Sequence, residues 1–128
     1  MTNRGYSAYA NTKANTASPG DLILMLYDGA IRFGNLAMEA IEKKEIEKAH
    51  INIVKIENII KEFQASLDFK YPVANEFNNV YTYLLQRLIE ANMKKDNEIM
   101  EEVMGHLRTM RDTWKEVMKL SKQEKKVV

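Results

Sequence analysis

The chain holds 128 residues, the length of one ordinary domain. Apolar residues make up 45% and charged residues 29%, enough for a packed core inside a solvated surface without a stapling metal or disulfide. Lys and Arg number 19 against 18 Asp and Glu, a net charge of +1 that argues against a nucleic-acid backbone as partner. Cysteine is absent, which excludes disulfide frameworks, thiol redox chemistry and Cys-based zinc sites. No apolar run nears the ~20 residues of a membrane span and no signal peptide opens the chain, so the expectation is a soluble cytoplasmic protein with no membrane insertion.

Residues 1–17 are small and polar, with Tyr6 and Tyr9 as their large apolar groups, and show no lasting period. They are expected to form an extended or mobile arm. Ser18-Pro19 then reads as a helix start, with Ser18 as N-cap and Asp21 three residues on in a capping-box-like arrangement. The first helix is predicted to run to about Lys43, and Lys43-Lys44-Glu45 to turn the chain. A second helix follows over about Ile46 to Leu67, with a core stripe of Ile46, Ala49, Ile53, Ile56, Ile60, Phe63 and Leu67. After the connector Asp68-Phe69-Lys70-Tyr71, Pro72 opens a third helix to about Asn92, its stripe being Val73, Phe77, Val80, Tyr81, Leu84, Leu88 and Ala91. The turn Lys94-Lys95-Asp96 leads into a fourth helix, where Met100, Val103, Leu107, Met110, Trp114 and Val117 recur at steps of three and four. Beyond Leu120 a frayed tail is expected. Short connections make consecutive helices antiparallel neighbours, which predicts an all-α, up-down-up-down four-helix bundle. The chain is read as one domain: arm 1–17, bundle 18–120 and tail 121–128.

Catalytic chemistry finds no candidate in the sequence. A di-iron bundle site needs two Glu-x-x-His motifs and two further inward Glu residues. Glu47 and His50 supply one such spacing, but His106 has Val103 where the second Glu would stand, and Glu47 and His50 lie off the core stripe. The five glycines are scattered singly, so no phosphate loop exists, and no serine sits in a nucleophile elbow. The expectation is a protein that is not an enzyme and takes no cofactor.

The first helix carries the strongest positive signal. Leu22, Ile23, Leu26, Ala30, Phe33, Ala37 and Ile41 already supply one core stripe. Leu24, Ile31 and Met38 fall on a second flank, and Met25 and Leu36 on the other. A helix apolar on most sides is either sandwiched or waiting for a partner. On the second helix Ile51 and Val54 lie off the stripe, and on the third Tyr83, Leu85 and Ile89 do the same. For Leu85 and Ile89 a broad bundle core is an equal reading. Met25 and Met38 suit a surface that adapts to its partner. The candidate partner-binding residues are therefore Leu24, Met25, Ile31, Met38, Ile51, Val54, Tyr83 and Ile89, with Tyr6 and Tyr9 as a candidate lid over them. A homo-oligomeric bundle, with Leu24, Ile31, Ile51 and Val54 between copies, is the alternative.

The block Thr16-Ala17-Ser18-Pro19 followed by Leu22-Ile23-Leu24-Met25-Leu26-Tyr27-Asp28-Gly29-Ala30-Ile31-Arg32-Phe33, preceded by Tyr9, closely resembles the opening of the flagellin-specific export chaperones, the FliS family. The likeness continues through Ile59-Ile60, Ser66-Leu67-Asp68, Tyr81, Arg87-Leu88, Ala91-Asn92, Leu107-Arg108 and Trp114. It departs at Lys70-Tyr71-Pro72, where the family often has a Gly-rich turn, and at Val80-Tyr81 and Gly105-His106. The resemblance implies a cytoplasmic helical-bundle chaperone that binds the disordered C-terminal segment of flagellin, prevents its premature polymerisation and delivers it for type III flagellar export. It also implies an N-terminal segment that covers the binding surface until flagellin displaces it, a role falling here on the arm with Tyr6 and Tyr9. Export-apparatus components and flagellar regulators are second candidate partners.

Overall fold

A computed structural model describes residues 18–127, and the side chains of 18–122. Four helices account for nearly all of it: α1 (Pro19–Glu42), α2 (Ile46–Ala65), α3 (Val73–Lys94) and α4 (Asn97–Val127). Each is bounded by the chemistry at its ends. The Ser18 hydroxyl accepts the Asp21 amide at 3.1 Å, the N-cap bond expected, and donates to the Asp21 carboxylate at 2.9 Å, so the carboxylate takes the Ser18 hydroxyl rather than the backbone N–H of a full capping box. Lys44 and Lys95 turn the chain in the left-handed region, with φ of 61° and 50°. Asp96 caps α4 through its side chain, which accepts the Glu98 amide at 2.8 Å. The last helix continues through Val127, past the break expected after Leu120. Its final turns are rich in Lys, Gln and Glu, good helix formers, and contain no Gly or Pro to stop them.

The helices form a closed square: α1 packs on α2 and α4, and α3 packs on α2 and α4, while the diagonal pairs stay apart. Cross-helix bonds set the directions. Trp114 Nε1 donates to the Gly20 carbonyl at 2.9 Å, Arg111 pairs with Asp28 at 3.3 Å, and Asn97 donates to the Met38 carbonyl at 3.1 Å. Numbers rise on α1 as they fall on α4, so the two run antiparallel. The α2–α3 pair shows the same order, with Gln64 on Asn78 and Thr82 at one end and His50 on Asn92 at the other. This is the predicted up-down-up-down bundle.

The core is built from Ile53, Ile56, Ile59 and Ile60 of α2, Leu84 and Leu88 of α3, and Met100, Val103, Met104 and Leu107 of α4, all essentially inaccessible. From α1 it takes mainly small residues, Ala30, Gly34, Ala37 and Ala40, plus Tyr27. A small-residue face lets neighbouring helices approach closely. A Cβ on Gly34 would stand only 2.0 Å from Met104 Sδ.

Several residues assigned to core stripes lie outside the core. Ile46, Val73, Phe77, Val80 and Val117 are all exposed, between 40% and 54%. Periodicity places a side chain on the face that points inward; it does not say how far along the helix a neighbour covers that face. Ile46 is the first residue of α2. Val73, Phe77 and Val80 occupy the first turns of α3, before the side-chain ties of that helix to α4, which begin at Tyr83. Val117 lies beyond Trp114, which already meets the start of α1. Trp114 itself is half-buried and packs against the core edge.

Candidate functional site

Antiparallel alternation brings the start of α1, the α2–α3 connector, the start of α3 and the later turns of α4 to one end of the bundle. That end leaves several apolar side chains uncovered: Phe69 and Tyr71 on the connector, Val73, Phe77 and Val80 on α3, and Val117 and Leu120 on α4. An aromatic ladder joins this surface to the core. Tyr27 meets Phe63 at 4.7 Å between ring centres, Phe63 meets Tyr81 at 5.7 Å, and Tyr81 meets the exposed Phe77 at 6.5 Å. The Tyr27 hydroxyl bonds to Tyr81, and burial pushes the Tyr27 phenol well above the ordinary value and raises that of Tyr81. Large exposed apolar side chains gathered at one end of a bundle make that end a candidate docking surface.

A second feature lies toward the opposite end, between α2 and α3. An open groove of about 410 Å³ is lined by His50, Val54 and Glu57 of α2, Ile89, Asn92 and Met93 of α3, and Lys95. The lining from α2 recurs at four and three residues, so a single helix face forms one wall. Val54 is half-buried, while Ile89 and Met93 are exposed to 52% and 78%. Across the floor, Asn92 Nδ2 stands 2.9 Å from His50 Nδ1, and Lys95 Nζ donates to the Asn92 side-chain oxygen at 2.8 Å and to its carbonyl. Burial raises the pKa of Glu57, and electrostatic interactions with Lys61 and then His50 offset part of the rise.

The eight candidate residues do not form one site. Val54 and Ile89 share the α2–α3 groove, and Ile51, also exposed, sits one turn before Val54 on α2. Tyr83 is on the other flank of α3, tied into the α3–α4 seam: its hydroxyl donates to Glu102, which also accepts Arg87 Nε at 2.8 Å. Its ring meets His106 edge-on at 6.2 Å. On α1, Ile31 and Met38 are half-buried and pack against the core, and Leu24 and Met25 are half-buried as well. The over-apolar helix is therefore partly explained by its two neighbours, α2 and α4. Tyr6 and Tyr9 lie outside the described residues. Sequence reasoning missed the uncovered end of α3 and α4 because those residues keep the core period. Met93 was missed too, although it lies one turn beyond Ile89 on the same face.

Among the described residues, no group of three His, Asp or Glu side chains could hold a metal ion, and no helix is long and apolar enough to cross a membrane. Residues 1–121 match the family model described as flagellar protein FliS. The chain belongs to the FliS family. Among its relatives, the flagellar secretion chaperone FliS of Bacillus subtilis is 36% identical over 120 residues, covering 94% of this chain and 90% of that protein. The protein of the same name from Salmonella typhimurium is 32% identical over 123 residues, covering 91% of each chain. That of Campylobacter jejuni is 32% identical over 119 residues, covering 91% of this chain and 93% of that protein. The FliS family consists of chaperones, not enzymes.

Proposed function

We propose that this chain is a cytoplasmic flagellar export chaperone that binds the C-terminal segment of flagellin, prevents its premature polymerisation and assists its type III secretion. The observation that supports this reading best is the uncovered apolar surface on α3 and α4, continuous with the core through the Phe63–Tyr81–Phe77 ladder. A disordered partner that folds as it binds can cover separated apolar patches and still be released, because part of its contact energy is spent on ordering. The groove residues Val54 and Ile89, the neighbouring Ile51, and the flanking Leu24, Met25, Ile31, Met38 and Tyr83 extend the contact surface around the bundle. The N-terminal residues carrying Tyr6 and Tyr9 compete with the client for it. Relatives that carry the name flagellar secretion chaperone support the same role.

Isothermal calorimetry and gel filtration with the C-terminal segment of the cognate flagellin test the reading. The expected result is a one-to-one complex with a large negative heat-capacity change, the mark of apolar burial. Absence of both heat and a co-eluting complex refutes it.

A further inference from the structure

The polar groups of the α2–α3 groove are not equivalent. Lys95 donates to the Asn92 side-chain oxygen, so that oxygen cannot turn toward His50 without aiming the amide NH2 at an ammonium. Asn92 therefore presents Nδ2–H to His50 Nδ1, which must accept. The other ring nitrogen, Nε2, makes no hydrogen bond with any described residue. Lys95 adds positive charge at the same end of the groove. Glu57 lies seven residues further along α2, two helical turns or about 10 Å away. Its carboxylate makes no hydrogen bond or ion pair with any described residue, although it is half-buried beside Val54 and Ile89. Lys61, one turn beyond on α2, acts on it only at longer range. A desolvated carboxylate without a partner is costly, and a bound cation removes that cost.

We propose that this groove receives an amphipathic helix of the client whose aliphatic face is bracketed by a Lys or Arg opposite Glu57 and by a hydrogen-bond acceptor opposite His50 and Lys95. The donor end and the acceptor end differ, so the groove sets the direction in which the client helix lies as well as its register. The inference rests on the proposed chaperone reading and assigns Glu57 as the determinant of specificity within it. The charge-assisted contact is partly open to water, so its worth is discounted to about a ten-fold change in affinity.

Charge reversal tests this directly. Calorimetry is run with the cognate flagellin C-terminal segment on the full chain, on Glu57→Gln and on Glu57→Lys. The expected result is a loss of about ten-fold for Glu57→Gln and a greater loss for Glu57→Lys, with melting temperatures close to the parent. A set of segments in which each Lys or Arg is changed singly to Glu should contain one that binds Glu57→Lys better than the original segment does. If the parent chain binds while both variants bind equally well, or if no charge-reversed segment restores binding to Glu57→Lys, the inference is overturned and the chaperone reading stands. If the parent chain itself does not bind, the chaperone reading falls and this inference with it.

Discussion

Adding one methyl group to Gly34 should loosen the bundle, whereas adding one to Gly105 should tighten it. Both glycines are interior to helices, where Gly→Ala ordinarily stabilises by about 0.5–1 kcal/mol through backbone entropy. At Gly105 nothing lies within 4 Å of the new Cβ, so that full gain is expected. At Gly34 the new Cβ would fall 2.0 Å from Met104 Sδ and 2.6 Å from Cε, and Met104 is completely buried. Its thioether must find another rotamer in a filled core, an overpacking cost of about 1–3 kcal/mol. The net expectation is destabilisation of up to about 2 kcal/mol for Gly34→Ala, and a difference of about 1–3 kcal/mol between the two variants. Urea unfolding at constant m-value measures both. Removing the obstacle should reverse the sign: in a Met104→Ala background, itself costly, Gly34→Ala should become favourable, giving a coupling energy well above the error of the cycle. If Gly34→Ala stabilises as much as Gly105→Ala, or if the cycle shows no coupling, the close α1–α4 approach is not what requires a glycine at position 34.

The exposed and buried halves of the α3 stripe should separate in their effects. Leu88→Ala should cost about 2–5 kcal/mol of stability, while Phe77→Ser should reduce affinity for the flagellin segment with a smaller loss of stability; denaturation and calorimetry on the same samples distinguish them. Raised phenol pKa values for Tyr27 and Tyr81 mean that the unfolded chain loses these protons near the ordinary value of 10 while the native chain keeps them, so stability should fall as pH rises above 10. Tyr27→Phe should blunt that fall in a thermal-melt series. Glu102 is shifted the other way, below its ordinary 4.5, because Tyr83 and then Arg87 donate to its carboxylate. Its contribution should be present above pH 4.5 and disappear as pH falls through the lower native value, and Glu102→Gln should flatten that acid limb.

Much of the bundle was legible because its signals are local. Ser18 and Asp21 announce the start of α1, and the fourfold spacing of Leu84 and Leu88 announces an inward face. The core at Ile53, Ile56 and Ile60 follows from the same period. What the period does not contain is the length over which a neighbour covers a stripe. Val73 and Leu84 differ by eleven residues and lie on nearly the same angular face, yet one is 49% exposed and the other fully buried. Conversely, Ile31 and Met38 seemed to exceed the needs of α1 because the sequence does not show that two helices, α2 and α4, flank it. The groove was half legible: Val54 and Ile89 were marked as off-stripe, but Glu57 had no distinguishing pattern. Its significance comes from what surrounds it, and from the absence of any described residue bonded to it.

The placement of the uncovered residues bears on how binding and release can coexist. Had the client surface been a separate apolar patch on an outer face, covering it would leave the bundle unchanged. Instead Val73, Phe77, Val80 and Val117 continue the core stripes past the point where the helices cover one another, so on the proposed reading a bound segment would complete a core that is already partly built. The aromatic ladder gives that continuity a physical route, since a side chain laid on Phe77 packs against a ring stacked on buried Tyr81 and, through it, on Phe63. Such a surface presents its apolar groups on a rigid support and pays little ordering entropy of its own; the ordering falls on the client. With a net charge of +1 the chain has little long-range attraction to offer. On the proposed chaperone reading, affinity comes from burial at the open end of the bundle, and selectivity from polar groups such as Glu57.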